Sequence, residues 1–248
     1  MRIFVLVKHS PSPESLLRVS ADGKSLDPTC LTYDINEWDR YAVEEAVRLK
    51  EKHGGEVVAV SVGTNCDATL RKCLAMGVDR AIKVPAEPGF DASMAAEAVV
   101  DVLKCEAFDI VLSGFMSQDA NNALVGALAA AKLDIPFATA VTELSVEGGE
   151  ARAVRELEGG YREEVALPLP CLVTVQSGIN EPRYVSIMGI KAAKAKELKD
   201  HPVKLGDATV STERIYAPPT RRAEIISGAP LEVAEKLIEL IRSKGVLR

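Results

Sequence analysis

The apolar positions of the chain follow two periods. "RIFVLV" (2–7), "EVVAVSVG" (56–63), "RAIKV" (80–84) and "FDIVLSG" (108–114) are short, nearly unbroken apolar runs, the pattern of strands covered on both faces. Between them the spacing lengthens to three and four. In "DINEWDRYAVEEAVRLKEKHGG" (34–55), Tyr41, Val43, Ala46, Val47 and Leu49 recur at helical spacing after Asp34 or Asn36 as N-cap and before Gly54 and Gly55. "CDATLRKCLAMG" (66–77), closed by Gly77, and "DASMAAEAVVDVLKCE" (91–106), capped by Asp91, repeat the unit. The Ala-rich helix "NNALVGALAAAKLD" (121–134) and the strand "PFATAVTEL" (136–144) complete the series. Strands and helices alternating at crossover spacing predict an α/β fold, a doubly wound, mostly parallel, Rossmann-like sheet. His9 to Thr32 reads as a polar loop.

From about Val146 the grammar changes. "VEGGEARAVREL", "EGGYREEVALPL" and "PCLVTVQSG" read as strands joined by Gly-Gly turns, which predicts antiparallel pairing at the edge of the sheet. The α/β domain is therefore expected over 1–178. Residues 179–248 are expected to form an irregular, Pro- and Lys-rich arm ending in an amphipathic helix, "PLEVAEKLIELIRSKG". Such a long irregular segment is expected to run over another surface. Within it, "INEPRYVSIMGIKAAKAKE" (179–197) sets Ile187, Met188 and Ile190 beside a run of lysines.

Composition narrows the functional classes. With 248 residues, 47% of them hydrophobic, the chain can bury one sizeable core. A net charge of -6 leaves no basic stripe for nucleic acid; only Lys191, Lys194, Lys196 and Lys199 make a local basic run. No apolar run reaches the roughly 18–20 residues of a membrane span, and the first residues enter a strand without a signal-peptide pattern, so a cytoplasmic protein is expected. Five scattered cysteines without a CxxC pair argue against a disulfide framework and a zinc cluster, so no metal site is expected. His9, His53 and His201 are far apart with no evident acid or nucleophile partner. P-loop, GxGxxG and GxSxG signatures are missing, and no catalytic constellation is expected.

In an open parallel sheet, ligands settle outside the carboxyl ends of the strands, where the strand order reverses. The loop after "DIVLSG" is "GFMSQDANNALVG" (114–126). Gly114 there permits a close backbone approach, and the loop feeds a helix whose free N–H groups can receive a phosphate.

"DINEWDRYAVEEAVRLKE", "TLRKCLAMGVDRAI", "DIVLSG", "VRELEGG", "LPLPCLVTV" and above all "NEPRY" resemble, in order and spacing over most of residues 1–198, the β subunit of the electron-transfer flavoprotein family. The resemblance implies a heterodimer with an α subunit that binds most of the FAD, taking electrons from flavin dehydrogenases such as acyl-CoA dehydrogenase. It implies that the β chain holds AMP, or a second FAD in electron-bifurcating members. The family's nucleotide contacts carry over to Leu6, to Asn36, Glu37, Trp38 and Asp39, to Val62, and to Gly114 through Val125, including Ser117, Gln118, Asp119, Asn121, Asn122, Ala123 and Leu124. Asn36 is the polar member expected to read the adenine edge, or to serve as a helix cap. Ordinary members end this loop Asn-Gln-Thr-Gly and bifurcating ones Ala-Gln-Val-Gly; here it ends "ALVG", so AMP, a second FAD and a poorly filled site are all compatible with it.

The resemblance also implies that Ile187, Met188 and Ile190 form a dehydrogenase recognition loop with Ile187 as its anchor, and that Lys191, Lys194 and Lys196 steer an acidic partner toward it. Two other readings compete with the simple carrier: an electron-bifurcating subunit that oxidises NADH, and a stand-alone ATP-binding stress or signalling domain.

Overall fold

The computed structural model describes residues 1–219, 223 and 225–246; residues 220–222, 224, 247 and 248 of the expected arm lie outside the described residues. The chain divides into two units, Met1–Arg214 and Ile215–Arg248.

In the first unit, β1 (Arg2–Leu6), β4 (Glu56–Val62), β5 (Arg80–Val84) and β6 (Ile110–Gly114) are parallel, as their apolar runs predict. The helices between them are α1 (Glu37–His53), α2 (Asp67–Met76) and α3 (Ala92–Lys104), with α4 (Val125–Leu133) after β6. The nine-stranded sheet runs β11-β5-β4-β1-β6-β10-β7-β8-β9, where β7 is Phe137–Glu147, β8 Glu150–Glu156, β9 Arg162–Pro168, β10 Cys171–Val175 and β11 Leu198–Asp200. Alternation of side chains along each strand divides the core: Ile3 and Val5 pack with α1 and α2 on one face, Phe4 and Leu6 with α3 and α4 on the other. This is the doubly wound sheet. The order reverses between β1 and β6, so their carboxyl ends frame the ligand crevice.

Beyond the parallel part, β7 (Phe137–Glu147) and β8 (Glu150–Glu156) form a hairpin closed by Gly148 and Gly149, both at positive φ, and β9 (Arg162–Pro168) adds antiparallel to β8. The third predicted edge strand behaves otherwise. β10 (Cys171–Val175) inserts between β6 and β7, parallel to both. Its five residues are all buried, and such a run needs cover on both faces that an edge position cannot give.

Part of the polar loop from His9 to Thr32 is also ordered into structure. β2 (His9–Pro11) pairs antiparallel with β3 (Tyr33–Ile35) and brings α1 back to the end of β1. The segment from 179 to 214 carries two regular elements. α5 (Ile187–Ala193) packs on α2, and β11 (Leu198–Asp200) joins the sheet beside β5, so the first unit extends to Arg214. In the second unit α6 (Pro230–Ser243) has no buried residue, and Leu231, Leu237 and Ile238 are exposed. Among the described residues no helix is long and apolar enough to cross a membrane.

Candidate functional site

At the reversal point, the first turn of α1 lies against the end of β6. Asp39, 5% exposed, accepts from Lys8 N at 2.7 Å through Oδ2 and from Gly114 N at 2.9 Å through Oδ1. One carboxylate thus ties the carboxyl ends of the two central strands together. Burial pushes its pKa up to about 7, against the opposing pull of these N–H donors. Gly114 is required here by the packing of α1. A Cβ on it would sit 2.6 Å from Trp38 Cβ and 2.8 Å from Asp39 N, so the glycine lets α1 dock on β6.

Asn36 is buried at the N-terminus of α1 and does not cap it with its side chain. Its amide holds the 114–125 loop instead: Nδ2 donates to Met116 O at 2.9 Å and Oδ1 accepts from Gln118 N at 3.0 Å. The Gln118 amide donates to Pro11 O at 2.6 Å and accepts from Glu37 N at 3.4 Å. Trp38 Nε1 donates to Gln176 Oε1 at 2.7 Å, joining α1 to the segment after β10. Lys8 Nζ donates to both oxygens of Asp119 at 2.7 Å and to Ser117 Oγ at 3.2 Å. Burial pulls the Asp119 pKa upward, but the Lys8 amine holds it below the usual carboxylate value.

The second half of the loop is built differently. Asn121 and Ala123 both have φ of 51°, a backbone that favours glycine, whereas Leu124 returns to the right-handed region. The positive φ at these two positions keeps the chain out of the helix, and α4 begins only at Val125, four residues after its predicted start. Leu124 offers no side-chain cap. Consequently the N–H groups of Asn122 through Ala127 donate to no acceptor among the described residues. Gly126 seats this turn on the sheet, since a Cβ there would meet Thr174 Cγ2 at 2.7 Å.

The predicted residues therefore form two groups. Asn36, Glu37, Asp39, Ser117, Gln118 and Asp119, with Gly114, make a hydrogen-bonded cluster on the α1 side, and Trp38 is bonded beside it to Gln176. Leu6, Val62 and Val125 lie in one apolar cluster on the α3/α4 side, while Asn121, Asn122 and Leu124 are exposed at the rim. Lys8 and Gln176 were missed by the sequence reading. Lys8 directly follows the apolar run of β1, which is the one sequence signal that places it at the crevice.

A second candidate surface comes from "NEPRY". Arg183 donates to Glu44 from its backbone N–H at 3.0 Å and from Nε at 2.8 Å, and its Nη1 reaches Glu51 at 2.7 Å. Asn180 Nδ2 donates to Tyr41 O at 3.1 Å and Glu45 Oε2 at 2.9 Å. Against the upward pull of burial, bonds from Arg183 and Arg48 hold the Glu44 carboxyl below its ordinary pKa. Clamped this way to α1, the segment leads into α5, which Ser186 caps through Gly189 N at 3.0 Å. Tyr184, Ile187 and Met188 are 95%, 75% and 80% exposed. Lys191 and Lys194 are exposed too. Lys196 is not free to steer a partner: its Nζ donates to Leu74 O at 3.0 Å and Val78 O at 2.5 Å, at the end of α2. The three histidines also correct one expectation, because His201 does have an acid partner, Asp101, at 2.8 Å.

The fold and crevice define a doubly wound α/β domain with an open helix N-terminus at its topological switch. The chain matches the family described as "Electron transfer flavoprotein domain" over residues 30–205. It is 39% identical to the electron transfer flavoprotein subunit beta of Methylophilus methylotrophus, over 97% of this chain and 98% of that one. It is 37% identical to the subunit of the same name from Bacillus subtilis (strain 168), over 99% of each. With the Homo sapiens subunit it shares 34% identity, over 99% of this chain and 98% of that protein. The chain belongs to the electron-transfer flavoprotein β-subunit family.

Proposed function

We propose that this chain is the β half of an αβ electron carrier, holding an adenine nucleotide in the crevice and docking a flavin dehydrogenase of the acyl-CoA dehydrogenase class through α5. The observation that carries the nucleotide reading is the run of N–H groups from Asn122 to Ala127, at the N-terminus of α4, that meet no acceptor among the described residues. Backbone donors and the helix dipole there suit a phosphate, and they need no side-chain donor, which "ALVG" lacks. Leu6, Val62 and Val125 supply apolar surface suited to an adenine ring. Asn36, Gln118 and Lys8 hold the loop in shape by their bonds to Met116, Pro11 and Asp119 rather than by waiting as free ligands.

FAD, held mainly by an α subunit, supplies the redox chemistry of such a carrier. This chain's residues bind, position and dock. The same N–H run also suits the diphosphate of a second FAD, as in the bifurcating reading, so nucleotide content is the test. Denaturing extraction of the purified αβ complex is expected to release one flavin and one AMP per dimer. Two flavins would replace the carrier with the bifurcating subunit, and failure of the chain to associate with any α subunit would overturn the reading.

Docking rests on the exposure of Ile187 and Met188 on a helix clamped by Arg183. Burying one such side chain contributes about 1.5–3 kcal/mol, enough for a weak and rapidly exchanging complex. Ile187→Ala is expected to raise the apparent KM for the dehydrogenase about 10-fold while αβ assembly is unchanged; an unchanged KM would reject the docking role.

A further inference from the structure

Asp101, Cys105 and His201 meet on a part of the first unit that neither the crevice nor α5 uses. Asp101 and Cys105 are one helical turn apart at the end of α3, so their side chains leave the helix on the same face. His201 immediately follows β11, and its N–H donates to Lys83 O at 2.7 Å, which fixes its backbone against the sheet edge. Its Nε2 lies 2.8 Å from Asp101 Oδ2, and one ligand atom from each of the three residues lies within 4.8 Å of the others. Cys105 and Asp101 are exposed, so an ion can reach them from solvent.

We propose that Asp101, Cys105 and His201 form a binding site for a zinc-class divalent ion. Thiolate, imidazole and carboxylate are the three donor types zinc accepts, and three protein ligands leave a fourth tetrahedral position for water. A hard ion such as Mg²⁺ is disfavoured by the sulfur. The Cys105 thiol donates to Asp101 O at 3.3 Å; on metal binding it loses its proton to solvent, and the His201–Asp101 hydrogen bond gives way to two metal bonds. Nothing in the cysteine spacing reveals the site, because His201 lies almost a hundred residues from α3. The bound ion cross-links α3 to the chain leaving β11. Further along that chain, Thr209 and Val210 are held by Asp91 at the other end of the same helix.

The test uses the full chain freed of metal by chelation. Zinc competition against a chromophoric chelator is expected to show one site, and Co²⁺ in its place to give a thiolate-to-metal charge-transfer band. Cys105→Ser is expected to abolish that band. Cys105→Ser and His201→Gln are each expected to weaken zinc binding by about 100-fold or more, whereas Cys30→Ser leaves both readouts unchanged. Circular dichroism of these surface variants checks that each remains folded. The proposal is overturned if the wild-type chain binds zinc no more tightly than Cys105→Ser, or if the cobalt band survives that substitution.

Discussion

Helices α3 and α4 cover the same face of the sheet, and each follows a parallel strand, so both N-termini point to the sheet's carboxyl edge. They begin in opposite ways. At α3 the Asp91 carboxylate accepts from Met94 N at 2.9 Å, and its second oxygen takes Thr209 N, Thr209 Oγ1 and Val210 N. The bond from Met94 and those from Thr209 hold this carboxyl well below its ordinary pKa, so the chain itself provides the anion that the helix dipole favours. At α4, Leu124 brings no side-chain acceptor, and the N–H groups from Asn122 to Ala127 find none among the described residues. The difference separates two uses of a helix end: a closed end anchors chain, and the open one at the topological switch is where the proposed nucleotide's phosphate would sit.

The largest effect is expected where the crevice itself is held together. Gly114→Ala drives a Cβ into Trp38 and Asp39 N, and the shift of α1 away from β6 is expected to cost about 3 kcal/mol of stability, read by chemical denaturation. A stable, unchanged Ala variant would show that α1 need not sit this close.

Leu124→Asp makes the start of α4 resemble that of α3. Its charge is expected to reduce retained nucleotide about 100-fold while leaving the fold intact or slightly stabilised. Equilibrium dialysis with AMP measures this, and unaltered affinity would break the contrast between the two helices.

Asp39→Asn tests the tie between the central strands. An amide keeps one acceptor but turns an NH₂ toward a backbone donor, a loss of about 1–3 kcal/mol at pH 5. Because the folded pKa is raised to about 7 from 3.8, the wild-type stability from this group is complete below the ordinary carboxylate value and is lost as pH rises through 7. The penalty of Asp39→Asn should therefore shrink between pH 5 and pH 8. A constant penalty would mean that the carboxylate stays charged throughout. The smallest effect is expected from Asp91→Ala, which should loosen the Thr209–Val210 segment to proteolysis without changing nucleotide content.

How much of this was legible beforehand varies from one element to the next. The parallel strands and α1 to α3 could be read because their apolar spacing reports burial directly. β10 was misplaced since periodicity tells that a run is covered, not which neighbour covers it. α4 begins later than its composition suggests, because Asn121 and Ala123 adopt positive φ, which propensity alone does not foresee. In the crevice, resemblance located the loop, but the duties of its side chains were invisible. Asn36 reads in the sequence as a cap or a base reader; only the structure shows its amide bonded to Met116 and Gln118. Lys196 reads in the sequence as a steering charge, and the structure sets it on the carbonyls that close α2.

The order of strands and helices, the family and the position of the loop are properties of the sequence, because local period, turn residues and motif order are written along the chain. Tertiary structure alone decided that Asp39 joins β1 to β6, that Arg183 clamps the segment before α5 to α1, and that His201 reaches Asp101. Each of these depends on which strands neighbour one another, and that choice is made by the burial of both sheet faces at once.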